Sequence, residues 1–184
     1  DNENDKNQVL VPALRFTGFS DGWAHYHLRE AVVSFDYGLN APAKPYDFKN
    51  KYLRIKDIDE ISRTFSTADL TSPDTDLVDS DKYLAREGDL FFARTGSIGR
   101  TYLYSKDEGK VLFAGYLIRG HIKQDLFSPD FVFYNTLTNG YYSFVKTTSA
   151  RSVQPGINAQ EYGSYKLAIP SLPEQQRIGA LFKE

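Results

Sequence analysis

The chain has 184 residues, 41% hydrophobic and 15% aromatic, which is enough for one domain with a true core and too apolar for disorder. It has no cysteine, which excludes disulfides, thiolate zinc sites and a cysteine nucleophile, and no apolar run approaches the ~18–20 residues that span a bilayer. The net charge of −2 disfavours a polyanion partner only as a total: residues 1–89 carry 11 basic and 17 acidic side chains, residues 90–160 carry 8 and 4, and no carboxylate falls between Phe131 and Gln160.

In chain order, residues 1–9 are polar and acidic and are expected to be disordered. In "VPALRFTGFSDGW", Pro12, Gly18 and Gly22 break regular structure while Leu14, Phe16, Phe19 and Trp23 anchor the segment. "AHYHLREAVVSFDYG" begins as a strand or short helix and ends at Gly38. A Pro-rich loop, "LNAPAKPYDFKN", leads into "KYLRIKDI", whose apolar and basic residues alternate as in a half-buried strand. The acidic "STADLTSPDTDLVDSDK" predicts a surface excursion. "GDLFFARTGSIGRTYLY" predicts two strands around a glycine turn, and "KVLFAGYLIRGHIK" one or two more around Gly115.

"SPDFVFYNTLTNGYYSFVKTT" predicts a helix with Ser128 as cap, Pro129 in the first turn and an interruption at Gly140. A loop follows, then a short turn at Asn158–Tyr162, a strand at Tyr165–Ile169, and a last helix with a capping box of Ser171 and Glu174. That helix reaches Glu184 just as Ile178, Leu181 and Phe182 make it amphipathic, so a longer helix is expected. With no methionine, an initiator included, a trimmed or internal segment is expected.

The glycine turn admits three readings: a phosphate cradle, a nucleic-acid contact, or a plain hairpin closure. A P-loop requires G-x-x-x-x-G-K-[ST] between strand and helix, whereas Gly96 and Gly99 are followed by Arg100, Thr101 and a strand-like "YLY". The G-x-x-G clamp of RNA-binding helical modules fails because both flanks are β-like. Glycine supplying positive φ explains the turn itself but not its polar cargo of Arg94, Thr95, Ser97 and Arg100, with Phe91 and Phe92 beneath. Arginine forks and hydroxyls on a stiff support are what base edges and phosphates require. "TTSARSVQPGIN" is a second candidate contact, with Arg151, Gln154 and Asn158, and "APAKPYDFKNK" an outer one, with Lys44 and Tyr46.

No catalytic constellation stands out. His25 and His27 lie two apart without a third ligand, so no metal is expected. Asp74 with Glu108 and Lys110 crudely mimics a PD-(D/E)xK nuclease, but Gly109 puts the pair in a turn. There is no glycine-rich cofactor fingerprint and no [DNS]PP[YFW] element for amino-methylation, so no cofactor is expected. A carbohydrate- or protein-binding β module remains the other alternative.

Three stretches together carry a resemblance. "PALRFTGFSDGW", "GDLFFARTGSIGR" and "INAQEYGSYKLAIPSLPEQQRI" resemble, in order and spacing, the specificity subunit of type I restriction–modification systems, and the closing "IPSLPEQQRI" is similar to the family's "iPpleEQ..I" pattern. The region from Tyr46 to Lys82 is unlike that pattern, as expected where members read different DNA. The resemblance implies an α+β fold: a curved mixed β-sheet or partial barrel with a few flanking helices, similar to the recognition domain of DNA adenine methyltransferases, over residues 1–170. Residues 171–184 would begin a long spacer helix that pairs as a coiled coil. Such a subunit performs no chemistry. Its two recognition domains each read half of a split double-stranded DNA site, and its helices hold methyltransferase subunits, to which the restriction translocase is recruited. This chain would be one such domain, joined to a second domain or second copy through spacer helices, in the cytoplasm and without a membrane partner.

Overall fold

A computed structural model describes residues 10–150 and 155–183. Its elements run β1 (Ala24–His27), α1 (Leu28–Ala31), β2 (Val32–Tyr37), β3 (Ala43–Pro45), β4 (Lys51–Leu53), β5 (Thr71–Pro73), β6 (Asp89–Ala93), β7 (Thr101–Leu103), β8 (Val111–Phe113), β9 (Leu117–Ile122), α2 (Pro129–Asn135), α3 (Asn139–Ser149), α4 (Ala159–Gly163), β10 (Lys166–Ile169) and α5 (Leu172–Lys183).

The organising layer is a four-stranded antiparallel sheet in the order β2-β9-β6-β7. Three two-stranded ladders surround it: β1 with β10, β3 with β5, and β4 with β8, the last being parallel. The fold is therefore mixed α+β, and no closed barrel forms among the described residues.

Strand β6 explains the layering. Side chains alternate across a strand, so Leu90 and Phe92 face one side and Phe91 and Ala93 the other. All four are fully buried. Leu90 and Phe92 join Val32, Ile118, Val132, Tyr141, Tyr162 and Leu167 in a core beneath the helices. Phe91 and Ala93 join Leu53, Ile58, Tyr102, Val111 and Phe113 in a second core on the opposite face. A strand apolar on both faces has to be central, and "LFFA" is such a run.

Several expectations need correction. The single helix over 128–148 is two: α2 ends at Asn135 and is capped by Thr136, whose hydroxyl donates to the Phe133 carbonyl, and Thr138 caps α3, so Gly140 lies in the first turn of α3 rather than at the break. "KYLRIKDI" stays extended only to Leu53, because the Arg54 guanidinium folds back onto Asp57 at 2.7 Å and closes a 3₁₀ turn. The acidic excursion is partly internal, since it contributes β5 and the fully buried Ser72.

The closing Glu174-Gln175 pair has a physical explanation. Glu174 is fully buried, and its carboxylate accepts two parallel hydrogen bonds from the Arg15 guanidinium, each 2.7 Å. That engagement replaces the capping box expected with Ser171. Gln175, also buried, accepts from the Ser128 N–H at 2.9 Å and donates to the carbonyls of Pro170 and Leu126 at 2.9 and 3.2 Å. The start of α5 is thereby locked to the N-terminal segment, to the cap of α2 and to the end of β10. Replacing Gln175 by alanine strands the buried Ser128 N–H and two carbonyls, and urea unfolding should show a loss of about 1–3 kcal/mol.

Candidate nucleic-acid interface

The turn after β6 is fixed from three directions. Gly96 and Gly99 adopt φ of 64° and 81°, the left-handed region that glycine tolerates. A side chain at Gly99 would in addition come within 2.7 Å of Val145 on α3. The first tie is the Tyr162 hydroxyl of α4, which donates to the Ala93 carbonyl at 2.7 Å and accepts from the Gly99 N–H at 3.0 Å. Burial pushes the Tyr162 pKa up, which keeps the hydroxyl protonated and able to donate. The second is the Arg94 N–H, which donates to the Tyr116 carbonyl at 3.1 Å, and the third is the Ile157 N–H, which donates to the Arg94 carbonyl at 2.9 Å. Turn, β8–β9 loop and the entry to α4 thus meet at one end of the sheet.

The side chains sort into two kinds. The Arg94 guanidinium lies 5.1 Å from the centre of the Tyr37 ring, and the Tyr37 hydroxyl accepts from the Ala159 N–H at 3.2 Å. Thr95 and Ser97 are half-buried in the same turn. Arg100 turns inward: it donates to the Ile58 carbonyl at 3.0 Å and pairs with Glu60 at 3.3 Å, with only 15% of its side chain exposed. Asn158 is an N-cap, accepting from the Glu161 N–H at 2.9 Å while Glu161 accepts from its own N–H. Arg151 and Gln154 lie outside the described residues.

Lys44 and Tyr46 belong to a separate part of the molecule. Lys44 sits on β3, its Nζ 3.8 Å from Asp74. Tyr46 packs against Phe48 in the turn that follows. Among the described residues this ladder connects to the β8–β9 loop through the bridge of Leu39 to Ala114, two residues before Tyr116, and through Ser72, whose hydroxyl bonds the Asn50 carbonyl just before β4, the partner of β8. Of the second candidate loop only the described end at Ile157 is seen to meet the arginine turn, and no direct bond ties Lys44 or Tyr46 to that turn among the described residues.

Residues that sequence reasoning missed are aromatic and scaffolding: Tyr37, Tyr116 and Tyr162. Nothing local marks them, because their partners come from distant strands. A polar network was missed as well. The fully buried Asp89 contacts His121 at 2.6 Å and the Arg86 N–H at 2.8 Å, and Arg119 reaches Asp36 at 2.8 Å and Asp89 at 3.6 Å. Burial raises the Asp89 pKa. The pairs Asp36–Arg119 and Asp89–His121 are direct register partners across β2, β9 and β6, so the sheet itself brings them together.

The nuclease-like trio does not converge. Glu108 accepts a hydrogen bond from the Tyr102 hydroxyl, and burial pushes its pKa up. Asp74 pairs with Lys44 instead, and Lys110 points to solvent. Among the described residues no group of three His, Cys, Asp or Glu could hold a metal ion. No helix among them is long and apolar enough to cross a membrane.

Against this geometry the likenesses to other proteins can be set. The family model of the type I restriction modification DNA specificity domain matches residues 41–184. The chain belongs to that family. Its fold is similar to that of a chain in a structure addressing complex assembly and conformational transition of the type I R-M system (16% identity, TM-score 0.65, 95% of this chain and 40% of the other). It is also similar to the HsdS subunit from Thermoanaerobacter tengcongensis (17%, 0.60, 95% and 39%) and to the type I S subunit from M. genitalium (14%, 0.53, 86% and 37%). The chain spans about two fifths of the length of these solved structures.

Two outcomes test the construction. Tyr162→Phe should lower stability by about 1 kcal/mol in urea unfolding and speed hydrogen exchange at Gly99, without altering any exposed group. The Asp47 carboxylate is held below the usual carboxylate range by N–H donors from Asn50 and Lys49. Its ionised form favours the folded state, so the contribution is complete above about pH 4–5 and is lost as pH falls. Thermal melts from pH 6 to pH 3 should show a smaller acid-induced loss in Asp47→Asn than in the parent.

Proposed function

We propose that this chain reads double-stranded DNA sequence-specifically as one recognition domain of a type I restriction–modification specificity subunit, and that partner subunits carry out adenine methylation and cleavage. Family membership over residues 41–184 supports this reading. The observation that carries it is the turn of Arg94, Thr95 and Ser97, whose backbone is immobilised by Tyr162, Tyr116 and Ile157 while these three residues stay partly exposed. Preorganised donors lose little entropy on docking, which is what groove readout and phosphate clamping demand.

In this reading Arg94, Thr95 and Ser97 contact DNA first, with Arg151, Gln154, Lys44 and Tyr46 as further contacts. Arg100 and Asn158 act mainly as supports, given their internal partners. Residues 1–170 form the recognition domain and residues 171–184 begin the spacer helix. That helix would pair with the spacer of a second domain or second copy and hold the methyltransferase subunits, through which the restriction translocase joins. The chain itself performs no chemistry and acts in the cytoplasm.

The test is Arg94→Ala in the assembled complex, measured against cognate and single-mismatch duplexes over a salt series. Loss of a bidentate base contact should cost about 1–3 kcal/mol and relax discrimination at one position. Loss of a phosphate contact should weaken all duplexes alike and shrink the salt slope by about one. Unchanged affinity, discrimination and salt slope in Arg94→Ala, Thr95→Ala and Ser97→Ala would sink the assignment.

A further inference from the structure

Phe48 is an aromatic ring held out in solvent by a turn built to keep it there. It is 89% exposed, more than any other described aromatic side chain, and its backbone adopts φ of 61°. A bulky residue takes that conformation only at a cost, met by the surroundings. Here the surroundings are explicit. The Asp47 carboxylate accepts from the Lys49 N–H at 2.9 Å, the Asn50 N–H at 2.7 Å and the Asn50 side chain at 2.8 Å. The Asp47 N–H donates to the Ser72 hydroxyl at 3.0 Å, and that hydroxyl donates to the Asn50 carbonyl at 2.6 Å. Ser72 and Asn50 are both buried, so the turn is riveted to β5 at its base while its tip is free.

The chemistry around the ring points to one class of partner. Tyr46 supports it from one side at 5.4 Å between ring centres. Lys44 and Lys49 flank it in sequence; Lys49 is exposed, and Lys44 has 41% of its side chain in solvent. The Asp47 carboxylate between them is turned into its own turn. Protein interfaces gather contiguous apolar area and exclude charge at their centre, whereas a lone ring between lysines offers neither. Lys44 also meets Asp74 at 3.8 Å at the exposed edge, and a rigid apolar wedge with lysines before and after it in the chain suits a base step between two phosphates.

We propose that Phe48 is a stacking wedge that contacts an opened base step of the bound duplex, with Lys44 and Lys49 on the adjacent phosphates. This rests on the DNA-recognition reading above.

The experiment uses the assembled complex and cognate duplexes carrying 2-aminopurine at successive positions, together with affinities over a salt series and melting of the free chain. Phe48→Gly relieves the positive φ, so the free chain should melt at the same or a higher temperature. Its complex should bind cognate DNA about tenfold more weakly with the salt slope unchanged, and should lose the fluorescence rise that the parent produces at one step. Phe48→Trp should retain both, and Lys44→Ala and Lys49→Ala should each reduce the salt slope. If the parent binds its site and Phe48→Gly matches it in affinity and fluorescence, the wedge is overturned while recognition stands. If Phe48→Gly instead impairs subunit assembly at unchanged DNA affinity, the ring is a protein contact and the wedge is likewise overturned. Absence of sequence preference in the parent complex would overturn both readings together.

Discussion

The double burial of β6 is the constraint from which the rest of the molecule follows. A strand that is apolar on both faces must have a layer above and a layer below, and here those layers are the helices with β10 on one side and the β4–β8 ladder on the other. Each fully buried Leu or Phe side chain contributes about 1.5–3 kcal/mol, so Leu90, Phe91 and Phe92 alone outweigh any surface ion pair in the molecule. Such a strand can shift neither sideways nor in register, because a slip of one residue would exchange its two faces. Whatever leaves its end inherits that fixity.

What leaves its end is the arginine turn, and its geometry is set by groups that do not belong to it. Tyr162 reaches it from α4, Val145 crowds Gly99 from α3, and Ile157 and Tyr116 tie its first residue. These contacts also explain why an acidic chain can offer a cationic feature. Much of the basic excess in residues 90–160 is spent internally, Arg119 on Asp36 and Asp89, and Arg100 on Glu60. Arg94 is different, lying across an aromatic ring that leaves its charge available. Summing charge over a segment cannot distinguish these cases.

Local signals in the sequence were legible where their partners are local. The cap at Ser128, the glycine turn and the apolar run of β6 were all readable, since each depends on neighbours within a few positions. Failures occurred where a distant group competes. Glu174 has the spacing of a capping-box residue, yet its carboxylate is taken by Arg15, 159 positions away. Arg100 looked like a free contact residue because Ile58 and Glu60 lie on another excursion. The contact of His121 with Asp89 arises from strand register, which local sequence does not display. The tip at Phe48 was opaque for a different reason: Phe is not a turn residue, and its conformation is held by the bonds of Asp47, Asn50 and the distant Ser72.

These same failures separate scaffold from presented side chains. The turn is held by backbone groups of Ala93, Arg94 and Gly99 and by a tyrosine outside it, with no bond in that set made by the side chains of Thr95 or Ser97. The finger at Phe48 follows the same plan, its shape set by Asp47, Asn50 and Ser72 rather than by the ring it presents. Side chains at such tips can change without leaving a buried donor unpaired or a cavity behind, the two events that make substitutions costly. Tips can therefore vary while stability is kept in β6 and the locked start of α5. Glu174 and Gln175 occupy the other extreme, buried and fully bonded, so that the direction of α5 is fixed independently of the side chains at the tips.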